Sequence, residues 1–371
     1  LGQMSIQGII NLFNQGITDL SAMALVPNTP VNVGRPQGVV TDPRWDPATF
    51  HTFIYMVDER TKTVLVVDSR NYSVLGRITG FASPRDVSIS TNFGRNATPL
   101  WVTDFAAQQA VGVDLNAITV SFTGQPGAGS PCDAIKDQQN SRVFVKTGRG
   151  PTGIAADSYV NSRVMVCNTL DDSVTVFEPT TGTVRNTADV GSTPVGCDYI
   201  LIGLNQAFRI GMIANQGGIV DPDGSISVYV EAPPPPVFPG AVQVRDGVES
   251  TFTDNVKNPS SVYGQQQWIN GAGTAIPTNF IIPNTGGKTL AEYSITVTGA
   301  FGSSYTANLI QTYEVGFNPT YGVYDPFYPA LFMFSAIAGQ GSMAALQPGR
   351  SLPPDLVRAP GIRQIFTCYT H

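Results

Sequence analysis

Residues 147–157 read TGRGPTGIAAD, and Gly148, Gly150 and Gly153 within them fit G-x-G-x-x-G, the spacing of a loop that cradles a dinucleotide pyrophosphate. That chemistry needs a helix directly after the loop, so that the helix N-terminus meets the phosphates. Here IAAD, SYVNS and RVMVCN follow, which read as strand, turn and strand. Pro151 sits inside the motif, has no N–H to donate, and its ring obstructs close approach of a ligand. The glycines are therefore expected to let the chain turn between strands, and no nucleotide is expected here.

The other residues that could do chemistry are few. The chain has two histidines, His51 and the last residue His371, too few for an imidazole-based metal or acid–base centre. The segment DPDGS (221–225) alternates oxygen ligands as a calcium loop does, but it lacks the rest of that pattern and reads as a hairpin turn. No G-x-S-x-G elbow is present. The cysteines, Cys132, Cys167, Cys197 and Cys368, form no C-x-x-C and are expected to be buried thiols or to make at most one bridge. The sequence thus nominates no catalytic, cofactor-binding or metal-binding residue.

Composition narrows the class. A chain of 371 residues with 42% hydrophobic residues can bury a large core, while 13% charged residues is about half the usual share. With 38 Gly and 28 Pro, turns dominate over long helices. The net charge of −6 argues against a nucleic-acid partner. The longest apolar run, ALFMFSAIAG (330–339), is too short for a transmembrane helix. Surface polarity carried by Ser, Thr, Asn and Gln suits a periplasmic or extracellular protein, either free or held peripherally or by a lipid anchor on a membrane.

Those turns recur in a pattern. NVGRPQGVVTDP (32–43), GFASPRDVSIS (80–90), TGRGPTGIAAD (147–157) and VGSTPVGCDYI (190–200) each place small residues, then Pro, then an apolar strand. Weaker copies surround Pro259, Pro319 and Pro360, so that Pro36, Pro84, Pro151, Pro194, Pro259, Pro319 and Pro360 stand 41 to 67 residues apart. A period of that order, with insertions, marks the blades of a propeller. Between the prolines, stretches such as RVMVCNTLDDSVTVFEPTTGTVRNTADVG (163–191) hold β-branched runs parted by turns at Asp171-Asp172 and Thr181-Gly182. The expected fold is all-β: one domain over 1–371, a seven-bladed β-propeller of four-stranded antiparallel blades. Residues 361–371 and 4–34 would share the closing blade and leave no open edge. Insertions are expected near 122–140, 231–241 and 264–276.

CNTLDDSVTVFEPTTGTV followed by VGSTPVGC resembles the YVTN-type (YncE-like) β-propeller repeat, in which N-x-x-D/N-S-V-S-V-I-D-x-x-T leads to V-G-x-x-P-x-G-I/V-A-V. The resemblance spans residues 32–200 and fades over 250–371. It implies a propeller in a mostly extracytoplasmic family and carries little information about activity.

One constellation flanks the prolines. Arg35 precedes Pro36 and Arg85 follows Pro84, while Arg149, Lys257 and Arg358 each stand two residues before their prolines. The expectation is a basic rim that attracts an anion or an acidic partner surface; the opposing expectation is pairing with local carboxylates such as Asp42, Asp86 and Asp157. With no catalytic set, the reading is a non-enzymatic interaction scaffold or accessory subunit, bound by its loops to protein partners in a larger, membrane-associated complex. The alternatives are a propeller enzyme of the lactonase or lyase kind, and a self-assembling surface-layer or filament protein.

Overall fold

The computed structural model describes residues 36–42, 53–68, 74–90, 99–115, 142–157, 163–202, 208–219, 221–231, 247–253, 256–264, 278–298, 304–325, 330–334, 342–346 and 355–358. The regular structure these residues form is almost wholly β, and their contacts divide the chain into two compact units, one centred on residues 25–187 and the other on 188–365.

The first unit holds three four-stranded sheets. Strands β1 (Pro36–Thr41), β2 (Phe53–Asp58), β3 (Thr63–Asp68) and β4 (Val74–Ile78) lie side by side in chain order. The same order repeats in β5 (Pro84–Ile89), β6 (Pro99–Asp104), β7 (Gln109–Asp114) and β8 (Arg142–Lys146). It repeats again in β9 (Pro151–Ala156), β10 (Val164–Asn168), β11 (Ser173–Phe177) and β12 (Val184–Asp189), the last of which crosses the boundary between the units. The second unit holds β13 (Pro194–Ile202) to β16 (Gly247–Phe252), with β14 (Phe208–Asn215) and β15 (Ser225–Glu231) between them. There follow β17 (Tyr263–Gly264), β18 (Thr278–Asn284), β19 (Thr289–Thr298) and β20 (Ser304–Glu314), then β21 (Tyr321–Asp325), β22 (Ala330–Phe334), β23 (Ser342–Leu346) and β24 (Asp355–Arg358). Every described pairing is antiparallel. Within each unit, first strands neighbour first strands: β1 lies by β5 and β5 by β9, and β13 lies by β17 and β17 by β21. This serial arrangement of up-and-down sheets is β-propeller-like. The expected closing blade, 361–371 with 4–34, lies outside the described residues, as do the insertion at 122–140 and nearly all of those at 231–241 and 264–276.

Proline opens four of the first strands because nothing inside the sheet needs its missing N–H at that point. Each of these strands then loses register one to three residues on, between Pro36 and Val39, Pro84 and Val87, Val166 and Asn168 opposite Pro151, and Pro194 and Gly196. Opposite each proline stands the last residue of the second strand: Asp58, Asp104, Asn168 and Asn215, with Asn284 bridging Pro259 likewise. All five are buried, and the side chains of Asp58, Asp104, Asn168 and Asn284 satisfy turn backbone. Asp104 accepts from the N–H groups of Ala82 (2.7 Å) and Ser83 (2.8 Å), Asn168 from Gly148 (3.1 Å), and Asn284 from Lys257 (3.0 Å). Asp58 instead accepts from its own hairpin, Arg60 N–H at 3.2 Å. The residue after the Asp or Asn donates its N–H to the carbonyl just before the proline, as Phe105 does to Ser83, Thr169 to Gly150, Gln216 to Thr193 and Thr285 to Asn258. The hairpin that follows ends on a left-handed residue: Lys62, Gln108, Asp172, Gly224 or Lys288.

Apolar faces pack between successive sheets. Phe53, Tyr55, Val57, Val64, Val66, Val87, Leu100 and Val111 form one cluster in the first unit, and Ile210, Met212, Val228, Phe280 and Tyr293 belong to the main cluster of the second. The alternation D-V-S-I-S over 86–90 sends Val87 and Ile89 into the first cluster and leaves Asp86, Ser88 and Ser90 for the neighbouring strand. Ile154 N–H donates to Asp86 Oδ2 (3.2 Å), Ala156 N–H to Ser88 Oγ (3.0 Å), and Ser90 Oγ donates to the Asp157 carbonyl (3.3 Å). Thr103 Oγ1 adds a bond to the Thr152 carbonyl at 2.7 Å. The other carboxylate oxygen of Asp86 faces β1, where a Cβ on Gly38 would lie 2.0 Å from it, so only glycine fits.

Burial pushes the Asp86 carboxyl up to about 6, against the N–H groups of Val87 and Ile154, which pull it down. Because this value is above that of the unfolded chain, 3.8, the folded state holds the extra proton between the two, and Asp86 makes the fold less stable as pH rises from about 4 to about 6. Asp86→Asn should flatten the stability curve over that window, as measured by urea unfolding at a series of pH values. A slope equal to that of the wild type would show that Asp86 does not titrate there.

Candidate functional site

In the sheets that begin with β5, β9, β13 and β17, the loop that joins second to third strand and the turn that enters the first strand lie together at one edge, because the Asp or Asn that ends the second strand ties one to the other. In the first unit this edge presents a continuous strip. Arg85 Nη1 pairs with Glu59 Oε1 at 2.6 Å, reaching from one sheet to the loop of the preceding one, and its guanidinium lies over the Phe105 ring at 4.9 Å. Beside Phe105 is Gly150, whose φ of +62° belongs to the left-handed region and whose Cβ, if it had one, would lie 2.7 Å from Leu170 and 2.9 Å from Phe105. The second glycine of the G-x-G-x-x-G spacing thus turns the chain and clears room for two apolar side chains. β9 begins at Pro151, where a dinucleotide loop would open a helix.

Arg149 completes the strip. Its Nε donates to Asp171 Oδ1 (2.5 Å), its own N–H to Asp171 Oδ2 (2.6 Å), and Nη2 to the Leu170 carbonyl (3.0 Å). The Arg149 N–H, and then its guanidinium, hold the Asp171 carboxyl below the usual carboxylate value. Arg149 remains 64% exposed and Leu170 55% exposed. An apolar side chain is therefore displayed beside a guanidinium whose orientation is already fixed.

The second unit offers a related pair, which joins a cation to the loop of the preceding sheet, as Arg85–Glu59 does, and not to the loop of its own sheet, as Arg149–Asp171 does. Lys257, at the same place before Pro259 that Arg149 has before Pro151, pairs with Asp223 in the loop between β14 and β15. That loop is longer than its counterparts, running from Asn215 to Ser225, and carries Ile219, which is fully exposed. In both units, then, the loop after the second strand offers one uncovered apolar side chain and one carboxylate paired to the cation before the proline.

Of the cations read from the sequence, Arg85, Arg149 and Lys257 stand at this edge, with Arg85 and Arg149 brought into one strip. Arg35 lies outside the described residues. Arg358 lies on β24, the fourth strand of its sheet, opposite Ser342. The carboxylates that pair with the three are Glu59, Asp171 and Asp223. Asp42 and Asp86 are engaged elsewhere, with Tyr55 Oη and with β9 respectively, and the N–H of Asp157 donates to the Arg163 carbonyl. The sequence reading missed Phe105, Leu170 and Ile219; their only signal was an apolar residue inside a loop otherwise built for solvent. Cys167 and Cys197 are buried thiols, and Cys132, Cys368, His51 and His371 lie outside the described residues. Among the described residues no group of three or more His, Cys, Asp or Glu is placed to hold a metal ion, and no helix is long and apolar enough to cross a membrane.

The strip is set on sheets of propeller-like type, and solved structures share that fold. A functionally unknown protein from Desulfotomaculum acetoxidans is 10% identical, with a TM-score of 0.51 over 80% of this chain and 75% of that one. A candidate 6-phosphogluconolactonase from Bacteroides uniformis is 11% identical, with a TM-score of 0.50 over 83% and 82%. A chain of hydrazine synthase from Kuenenia stuttgartiensis is 12% identical, with a TM-score of 0.48 over 88% and 80%. No protein-family model and no curated protein matches the sequence. At these identities the likeness is one of fold alone.

Proposed function

We propose that this chain is a non-enzymatic interaction module, a seven-bladed propeller of the YVTN type that docks on a protein partner through the loops following its second strands. The observation that carries the reading is the repeated display of an exposed apolar residue next to a carboxylate–cation pair: Leu170 by Arg149–Asp171, and Ile219 in the loop whose Asp223 pairs with Lys257. Apolar anchors and Arg ringed by polar groups are the composition of protein–protein contact surfaces. The cations already have partners, so a protein surface of mixed charge suits this edge better than a free anion does. The low charged content and the repeat resemblance favour a place outside the cytoplasm, as an accessory subunit of a larger, membrane-associated assembly.

Tagged chain recovered from its native membranes should bring down a stoichiometric partner. Leu170→Glu and Ile219→Glu should each weaken that capture at least about tenfold, the scale of one interface hot spot, with the melting temperature unchanged. Capture unaffected by both substitutions, or hydrolysis of a lactone by the purified chain alone, would overturn the reading.

A further inference from the structure

The outermost strand of the sheet β17–β20 differs from every other outer strand. β4 carries Arg77, β8 carries Arg142 and Lys146, β12 carries Arg185 and Asp189, β16 carries Glu249, and β24 carries Asp355 and Arg358. Charges on an edge are how a sheet keeps other strands from adding to it. β20 is the longest of these strands, at 11 residues, and its first ten residues, SYTANLIQTY, contain no charge, no proline and no glycine. It pairs with β19 on one side and, among the described residues, stands last in its sheet. Asn308, Leu309 and Ile310 are all exposed, so both faces of the strand are open there, with Leu309 at 39% and Ile310 at 47%.

Among the described residues the hairpin also outruns its sheet. β18 begins at Thr278, opposite Ile295, while the rungs Thr296–Thr306, Val297–Tyr305 and Thr298–Ser304 continue past it. A two-stranded ribbon is marginal in water without a further strand. A register shift between Glu292 and Tyr293 makes Ile310 the extra residue and bends β20 there, which leaves Ser304–Leu309 as the straight segment.

We propose that Ser304–Leu309 is a docking edge for a second copy of this chain, which pairs with it antiparallel about a two-fold axis. Thr306 then faces Thr306 of the other copy, Tyr305 faces Ala307, and Ser304 faces Asn308. Charge decides for self-pairing: the segment brings no like charges together, whereas the same operation on β8 sets Arg142 against Lys146. A closed two-fold contact of this kind uses one patch twice and ends at a dimer. This inference is independent of the loop surface above, because it uses the edge of a last strand and not the loops that follow second strands.

Sedimentation velocity on the full chain should show a dimer that dissociates on dilution. Hydrogen exchange should show the amides of 304–309 protected at high concentration and released at low concentration. Thr306→Lys, which sets two ammonium groups side by side in the dimer, should be a monomer with an unchanged far-ultraviolet circular dichroism spectrum, while Leu170→Glu should leave the dimer intact. A wild-type monomer throughout, a dimer with these amides unprotected, or a dimer that survives Thr306→Lys would overturn the proposal. Should Thr306→Lys fail to fold, the concentration-dependent exchange of the wild type decides alone.

Discussion

Trp101→Ala will lower the stability of the first unit by about 3–5 kcal/mol, the range for removing a large aromatic side chain from a packed core. Trp101 is fully buried on β6, and its ring meets Phe177 of β11 edge to face, with centroids 4.7 Å apart. Ala110, Val145, Ile154, Val164 and Val166 complete the cluster, so this one side chain fills the space between the second and third sheets. Its Nε1 has no hydrogen-bond partner, and the indole therefore contributes packing and no polar contact. Trp101→Phe should accordingly recover most of the loss, at a cost of about 1–2 kcal/mol for the smaller ring. Urea unfolding followed by circular dichroism measures both. A loss below about 1 kcal/mol for Trp101→Ala would mean that these two sheets are not packed through this residue.

The second large effect is expected at Glu292, a carboxylate buried entirely within the sheet β17–β20. Asn279 Nδ2 on β18 donates to Oε1 at 2.7 Å, and the Tyr313 hydroxyl on β20 donates to Oε2 at 2.6 Å, so three strands are tied through one side chain. Glu292→Ala leaves a cavity and two buried donors without acceptors, for a loss of roughly 3–5 kcal/mol. Tyr313→Phe removes one bond to a charged acceptor and should cost about 1.5–3 kcal/mol. The two losses should be strongly non-additive in a double-mutant cycle, since each removes part of the same network.

Burial, and then the neighbouring Glu292 carboxylate, raise the Tyr313 phenol well above its ordinary value of 10.0. The folded chain therefore keeps a proton that the unfolded chain releases, and the stability from this group is intact below pH 10 and lost as pH rises beyond it. Tyr313→Phe should flatten the alkaline limb of the stability curve. If the wild type and Tyr313→Phe decline in parallel above pH 10, the Glu292–Tyr313 bond is absent.

The parts of this fold that could be read from residue order are those that a strand carries by itself. Proline at 36, 84, 151 and 194 opens a strand in each case, and the apolar alternation that follows sets its two faces. At Pro259 the reading is less sharp, because the residue makes only an isolated bridge to Asn284 and β17 starts at Tyr263. The buried Asp or Asn at the end of five second strands was visible as the N of CNTLDDSV alone. Its five instances, Asp58, Asp104, Asn168, Asn215 and Asn284, differ in type, and the loop after Asn215 is longer than the other four. What unites them is a shared position opposite the junction proline, and that position is a property of the folded sheet. The cations at the junctions were legible for the same reason as the prolines, being at fixed offsets. Their carboxylate partners were not, since Glu59 belongs to the sheet before Arg85 and Asp223 to the sheet before Lys257. Glu292 gave no signal, as a single acidic residue in SITVT-like surroundings reads like any solvent-facing position.

The contact between β5 and β9 has a consequence for how such chains vary. Asp86, Ser88 and Ser90 reach across to peptide groups of β9, and none of the three needs a matching side chain there. The receiving strand is recognised by its main chain, which every sequence shares. A neighbour joined in this manner can be rewritten, lengthened or exchanged for another of the same backbone without compensating changes on the donor strand, which is the latitude that a string of unequal repeats requires.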